Sequence, residues 1–137
     1  MVQIVSTIMF SPIKFESGKV YTLSTVSETT ITKGDALDFD SGYVQRATSA
    51  STNVRFVSLE DKTTAAGAHE SIQALYTDGV EFEGETASTT SQALVGTYID
   101  LTDHDTLNQG ASNTNVFYVA GLVDTSHVRG YFCMNVA

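Results

Sequence analysis

The residues best suited to chemistry gather in YIDLTDHDTLNQG, where Asp100, Asp103, His104 and Asp105 fall close together. Carboxylates and an imidazole are donor types of divalent-metal sites. A calcium-binding EF-hand loop starting at Asp103 would need an oxygen ligand at its fifth position, Gly at its sixth and Glu at its twelfth. The chain has Leu107, Asn108 and Thr114 there, so the motif fails and the stretch reads as a solvated loop. His69, His104 and His127 show no His-x-x-x-His or His-x-His spacing, so a zinc site would need pieces far apart in sequence. Asp124, Ser126 and His127 are the residue types of a hydrolase triad, but chain neighbours rarely adopt triad geometry. No Gly-x-Ser-x-Gly elbow, Walker loop or dinucleotide fingerprint occurs. Glu81, Glu83 and Glu85 share one face of a strand in VEFEGE. Paired carboxylates can hydrolyse glycosidic bonds, but like charges at this period read as a solvent face that blocks edge pairing. No catalytic residue, metal ligand or cofactor is assigned.

Composition narrows the classes further. The chain has 137 residues, enough for one domain with a sizeable core. Sixteen acidic against 7 basic side chains give a formal charge of -9. Binding to a nucleic-acid backbone needs clustered Lys and Arg, and Lys14, Lys19, Lys33, Arg46, Arg55, Lys62 and Arg129 are scattered. Neither a nucleic-acid nor a membrane partner is expected. Cys133, the single cysteine, lies in the apolar run RGYFCMNVA and reads as a buried thiol. It excludes an internally disulfide-stapled scaffold.

The elements that must position these residues are strands. Ser, Thr, Val and Gly dominate, and β-branched residues favour strands. Alternation recurs in KVYTLSTV, ALDFD, NVRFVSL and GVEFEGE. NVFYVAGLV and GYFCMNV are continuously apolar, as strands buried on both faces would be. Turn signals at Ser17-Gly18, Lys33-Gly34-Asp35, Ser41-Gly42, Ala66-Gly67, Asp78-Gly79 and Gln109-Gly110 separate the segments. Short strands at this spacing predict an all-β fold, a compact small barrel or sandwich of antiparallel strands. SQALVGTYIDLTDHDTLNQG and the segment near Leu59 to Lys62 carry weak helical signals and read mainly as strand and loop.

The chain also resembles itself at a shift of 62 residues. Gly34 meets Gly96, Leu37 meets Ile99, and Asp38 meets Asp100. Thr52-Asn53-Val54 meets Thr114-Asn115-Val116, Phe56 meets Tyr118, and Val57 meets Val119. Two readings stand: an old duplication of a β-unit, or shared strand grammar. The expected organisation is an extended N-terminal segment over 1–15 and a single β-domain over 16–137. Its possible related halves span about 16–75 and 76–137.

The opening MVQIVSTIMFSP has no positive n-region, and Gln3, Ser6 and Thr7 interrupt its apolar residues. It is a poor targeting segment. It reads either as the first strand of the core or as an arm for another molecule.

TITKGDALDFDSGYVQRATSASTNVRFVSLEDKTTAAG lays out a strand, Lys-Gly-Asp, an apolar/acidic strand, a Gly turn, a short strand with Arg46 and a further strand near Ala66-Gly67. With HESIQALYTDGVEFEGE and the C-terminal strands, this layout resembles head decoration (cement) proteins of tailed bacteriophages over roughly residues 20–137. The resemblance implies a non-enzymatic β-domain that forms a homotrimer. It would bind the outside of the capsid, bridge major capsid protein subunits and stabilise the shell. The expected location is the outer surface of the virion. It also implies an N-terminal arm, in which Val2, Ile4, Ile8 and Phe10 would contact capsid or subunit by β-augmentation. On that reading, deleting residues 1–12 leaves the fold intact. The alternatives are a tail-tube, fibre or spike domain, a carbohydrate-binding β-module (disfavoured by the absence of Trp), and a metal-dependent or carboxylate hydrolase.

Overall fold

A computed structural model of the chain describes residues 10–14 and 19–133. The fold is all-β. Among the described residues, thirteen short strands run in chain order as β1 (Ser11–Lys14), β2 (Val20–Ser24), β3 (Thr29–Ile31), β4 (Ala36–Asp40), β5 (Tyr43–Arg46), β6 (Phe56–Ser58), β7 (Lys62–Thr64), β8 (Ser71–Tyr76), β9 (Glu81–Thr86), β10 (Tyr98–Leu101), β11 (Thr106–Asn108), β12 (Phe117–Asp124) and β13 (His127–Phe132). The only helical element among the described residues is a 3-10 turn, Gln92–Leu94. The segment near Leu59 to Lys62 forms no helix.

The strands sort into two sheets that follow the two halves of the chain. The first has the order β2-β8-β6-β4-β5. It closes on itself where Thr25, just past β2, forms a parallel bridge with Val44 of β5. The second runs β9-β11-β10-β12-β13, and β13 pairs back onto β9, which closes a five-stranded barrel. Its one parallel contact joins β9 to β11, Thr86 opposite Leu107. A third pairing, β3 with β7, is an appended ribbon that lays Ile31 on the first core.

Both halves therefore share one topology, and single hydrogen bonds correspond. Thr25 N–H donates to the Glu70 carbonyl (2.9 Å) and Thr86 N–H to that of Ser126 (2.8 Å). Val26 N–H donates to the Val44 carbonyl and Ala87 N–H to that of Leu107, both at 2.9 Å. Gly34 (φ 90°) and Gly96 (φ 88°) occupy equivalent left-handed turns, which glycine adopts at no steric cost. Their N–H groups donate to Ser58 and Val119 carbonyls at 2.8 Å.

These pairs adjust the register read from sequence. With Gly34 matched to Gly96, Leu37 opposite Phe56 corresponds to Ile99 opposite Phe117. Phe117, not Tyr118, takes the place of Phe56. NVFYVAGLV and GYFCMNV also differ from expectation, because the described part of each alternates between buried and more exposed positions. A barrel wall has one inner and one outer face.

Alternation explains how the halves share a core. Leu37, Phe56, Ile72 and Ala74 point into the first barrel. Their neighbours Ala36, Val57 and Leu75 face the other way and join a cluster with Phe82, Ile99, Leu101, Leu107, Phe117, Val119, Val128 and Phe132 of the second half. β6 is therefore buried on both faces.

Phe10 completes that cluster. It is 1% exposed, stands edge-on to Phe132 at 4.8 Å between centroids and lies 6.1 Å from Phe117. Its N–H donates to the Gly34 carbonyl, and β1 after it pairs antiparallel with β9. Phe10, expected at a partner contact, is thus a core side chain. Val2, Ile4 and Ile8 lie outside the described residues. Removing residues 1–12 would take Phe10 out of the core, so an arm deletion must end at Met9. Gly84 makes room for the ring: a Cβ there would lie 2.7 Å from Phe10 Cε1.

Phe10→Ala is expected to cost about 3–5 kcal/mol of unfolding free energy, read by urea denaturation. Gly84→Ala should be destabilising in the native background and markedly less so beside Phe10→Ala. A double-mutant cycle checks this, and additive costs would show that the two residues do not share the space.

Candidate functional site

The polar residues meet where the halves join. The Gly34 turn delivers Asp35 to the start of β4, and its carboxylate is buried. Oδ2 accepts from Thr32 N–H (2.8 Å) and Arg46 Nε (2.7 Å). Oδ1 faces His104 Nδ1 at 2.9 Å. An ionised carboxylate only accepts, so this contact is a hydrogen bond in the tautomer with its proton on Nδ1. Arg46 also donates to Thr32 Oγ1 (2.9 Å), and Ala36 N–H donates to the His104 carbonyl (2.7 Å). Asp105 Oδ2 lies 3.8 Å from the same His104 nitrogen, Nδ1. Asp105 N–H donates to Asp103 Oδ1 (3.1 Å). Burial pushes the Asp105 carboxyl up, and its hydrogen bond with Asp103 adds to that. For Asp103, burial acts upward too, but hydrogen bonds from Asp105 and the His104 charge outweigh it and the carboxyl is lowered.

Sequence inspection marked Asp103, His104 and Asp105 but read Asp35 only as part of a turn and Arg46 only as a scattered base. The separation of 69 positions between Asp35 and His104 hides the partnership, since nothing local to Lys-Gly-Asp points to the second barrel.

Asp100 does not join this group. It lies in β10, and its side chain caps the loop before β12. Oδ1 accepts from the N–H groups of Thr114 and Asn115, and Oδ2 from that of Asn113, all at 2.9 Å. Burial works to raise its pKa, but these backbone donors outweigh burial and hold the carboxyl below the usual range. Asp38, its counterpart, accepts from Ser51 Oγ at 2.6 Å. The shared Asp of the two halves is thus a loop cap.

The triad residue types do come together, but not as a triad. Ser126 Oγ (3.1 Å) and Asp124 Oδ1 (2.8 Å) both meet His127 Nδ1, whereas triad chemistry needs serine and carboxylate on opposite ring nitrogens. Ser126 N–H donates to Asp124 Oδ1 (2.9 Å), which makes the group a turn lock between β12 and β13. The Ser126 N–H and His127 lower the Asp124 carboxyl.

The glutamate face also departs from its solvent-face reading. β9 has neighbours on both sides, so it is no free edge. Glu81 is buried and accepts from Arg129 Nη1 at 3.3 Å. Cys133 is half-buried, and burial raises its thiol pKa, the opposite of nucleophile activation. His69 stacks on Tyr43 with centroids 4.0 Å apart. No helix among the described residues is long and apolar enough to cross a membrane.

None of the protein-family models, curated proteins or solved structures compared with the chain matches it.

Asp100→Asn keeps the shape but loses the charge that strengthens three backbone bonds, and should cost about 1.5–3 kcal/mol at pH 7. Because the folded carboxyl is depressed, its contribution is present above the unfolded value near about 3.9 and is lost as pH falls through the folded value. The stability gap between the native chain and Asp100→Asn should therefore close below about pH 4. A gap that persists undiminished at low pH would show that the charge is not what the loop uses.

Proposed function

We propose that this chain is a structural protein of a tailed-phage virion. It binds the outside of the capsid as a homotrimer and stabilises the shell by bridging major capsid protein subunits. The sequence resemblance carries the family reading. The observation that favours it in the fold is the anchoring of the N-terminal segment. Phe10 is fixed in the core and β1 is paired to β9, so the apolar residues Val2, Ile4, Val5 and Ile8 immediately precede a rigid attachment point. An apolar alternating segment tied to a rigid body can add a strand to a partner sheet. Many copies on one shell multiply a weak single contact. The charge of -9 keeps the free protein soluble before assembly. Asp38, Asp100 and Asp124 serve as loop and turn locks, which is consistent with a non-enzymatic role.

A carbohydrate-binding module is the second reading, and one observation favours it. Tyr98, Tyr118 and Tyr131 stand opposite one another across β10, β12 and β13, and Tyr98 is 50% exposed. The Tyr98 and Tyr118 rings are inclined at 57°, so they do not form a flat stacking platform, and this reading ranks lower.

Co-sedimentation with expanded, DNA-free shells tests the first reading. The full chain should pellet with shells. A chain lacking residues 1–9 should stay folded by circular dichroism and bind at least about tenfold more weakly, a loss of about 1.4 kcal/mol per decade. No binding by the full chain, with retention on a glycan array, would favour the second reading.

A further inference from the structure

We infer that Asp35, His104 and Asp105 form a zinc-class divalent-cation site at the junction of the two barrels. One donor atom from each lies within 4.8 Å of the others. Asp35 Oδ1 and His104 Nδ1 are 2.9 Å apart, and His104 Nδ1 and Asp105 Oδ2 are 3.8 Å apart. Tetrahedral zinc, with bonds of about 2.0–2.2 Å to nitrogen and oxygen, sets neighbouring ligand atoms about 3.3 Å apart. Two of the three separations bracket that value, and the third, between Asp35 Oδ1 and Asp105 Oδ2, is within 4.8 Å, so binding draws the two carboxylates toward each other around the imidazole nitrogen. Three protein ligands leave a fourth position for water.

The donor set is not a run of surface carboxylates. Asp35 is 2% exposed and arrives from the first barrel, while His104 and Asp105 come from the β10–β11 loop of the second. Arg46 and Thr32 N–H hold Asp35 Oδ2, which leaves Oδ1 directed at the imidazole. Outer groups that fix a ligating carboxylate in this way are a regular part of metal sites. The ion pair with Arg46 accounts for one oxygen of Asp35 but not for Asp105, whose Oδ2 faces the same His104 nitrogen.

Charge points the same way. Asp35 and Asp105 contribute two negative charges, Arg46 offsets one, and Asp103 adds another beside Asp105. The proton on His104 Nδ1 now lies between the two carboxylates, and zinc would take the same position. With zinc on Nδ1, the neutral imidazole carries its proton on Nε2. One nitrogen and a few carboxylate oxygens do not make the six to eight oxygen ligands of calcium; this mixture suits zinc.

Isothermal titration of the full chain with zinc chloride at neutral pH tests the site, with thermal melting in parallel. The expected result is one zinc per chain and a melting temperature that rises with zinc and returns with EDTA. Asp105→Asn and His104→Gln should each weaken binding at least about tenfold, while His69→Gln and His127→Gln leave it unchanged. Asp105→Asn retains the Asp35–His104 bond, so its loss of binding cannot be blamed on a broken junction. No saturable zinc binding, or binding that survives both Asp105→Asn and His104→Gln, would overturn the proposal. Equal binding of calcium or magnesium would overturn the zinc class.

Discussion

Closure of each five-stranded sheet on itself is the constraint on which this structure depends. A small open sheet leaves two rows of unpaired backbone donors and acceptors, and closure removes them. Each barrel contains one parallel contact, made at or just past the end of its first strand by a buried threonine, Thr25 or Thr86. A parallel contact cannot be made by a hairpin and needs a crossover. The order of strands within each half follows from that requirement. The same bonds appear on both sides of the closure: Thr25 to Glu70 and Thr86 to Ser126, then Val26 to Val44 and Ala87 to Leu107. Two segments of differing sequence thus take the same strand arrangement.

Closure leaves the loops to be ordered by side chains. Asp38 and Asp100 hold equivalent loops, and Asp124 locks the β12–β13 turn. Asp35 caps its own turn through Thr32 N–H and also reaches across the junction. It ties Arg46 and Thr32 of the first barrel to His104 of the second, next to the Ala36 to His104 backbone bond. With the shared cluster built around Phe10, Val57, Leu75 and Phe117, this ion-paired contact joins the barrels into one body.

Much of the fold was legible in the sequence. Alternation in ALDFD and GVEFEGE marked β4 and β9, and the glycine signals at Gly34, Gly42, Gly67 and Gly79 fall at left-handed turns. Repetition of Thr-Asn-Val located equivalent loops before β6 and β12. The one-residue slip at Phe56 was not legible, because Phe117 and Tyr118 are both aromatic and only strand pairing separates the inward one from the outward one. NVFYVAGLV looked buried on both faces because apolar residues on a barrel's outer wall carry no mark of their exposure. The Asp35–His104 contact was hidden for a different reason. Its partners are distant in sequence, and each sits in a motif that reads locally as a turn. Phe10 was misplaced because an apolar segment before a proline looks the same whether it leaves the domain or plugs it.

On the proposed function, a double barrel with an apolar N-terminal segment attached at Phe10 assembles into a closed unit. A closed oligomer and an open polymer demand different surfaces, since head-to-tail contacts that fail to close run on into fibres or tubes. The most direct measurement is the solution mass of the full chain by light scattering on a sizing column over a wide concentration range. The account predicts a single mass of three chains that holds on dilution. A mass that grows without limit as concentration rises would contradict it and place the chain among tube-forming proteins.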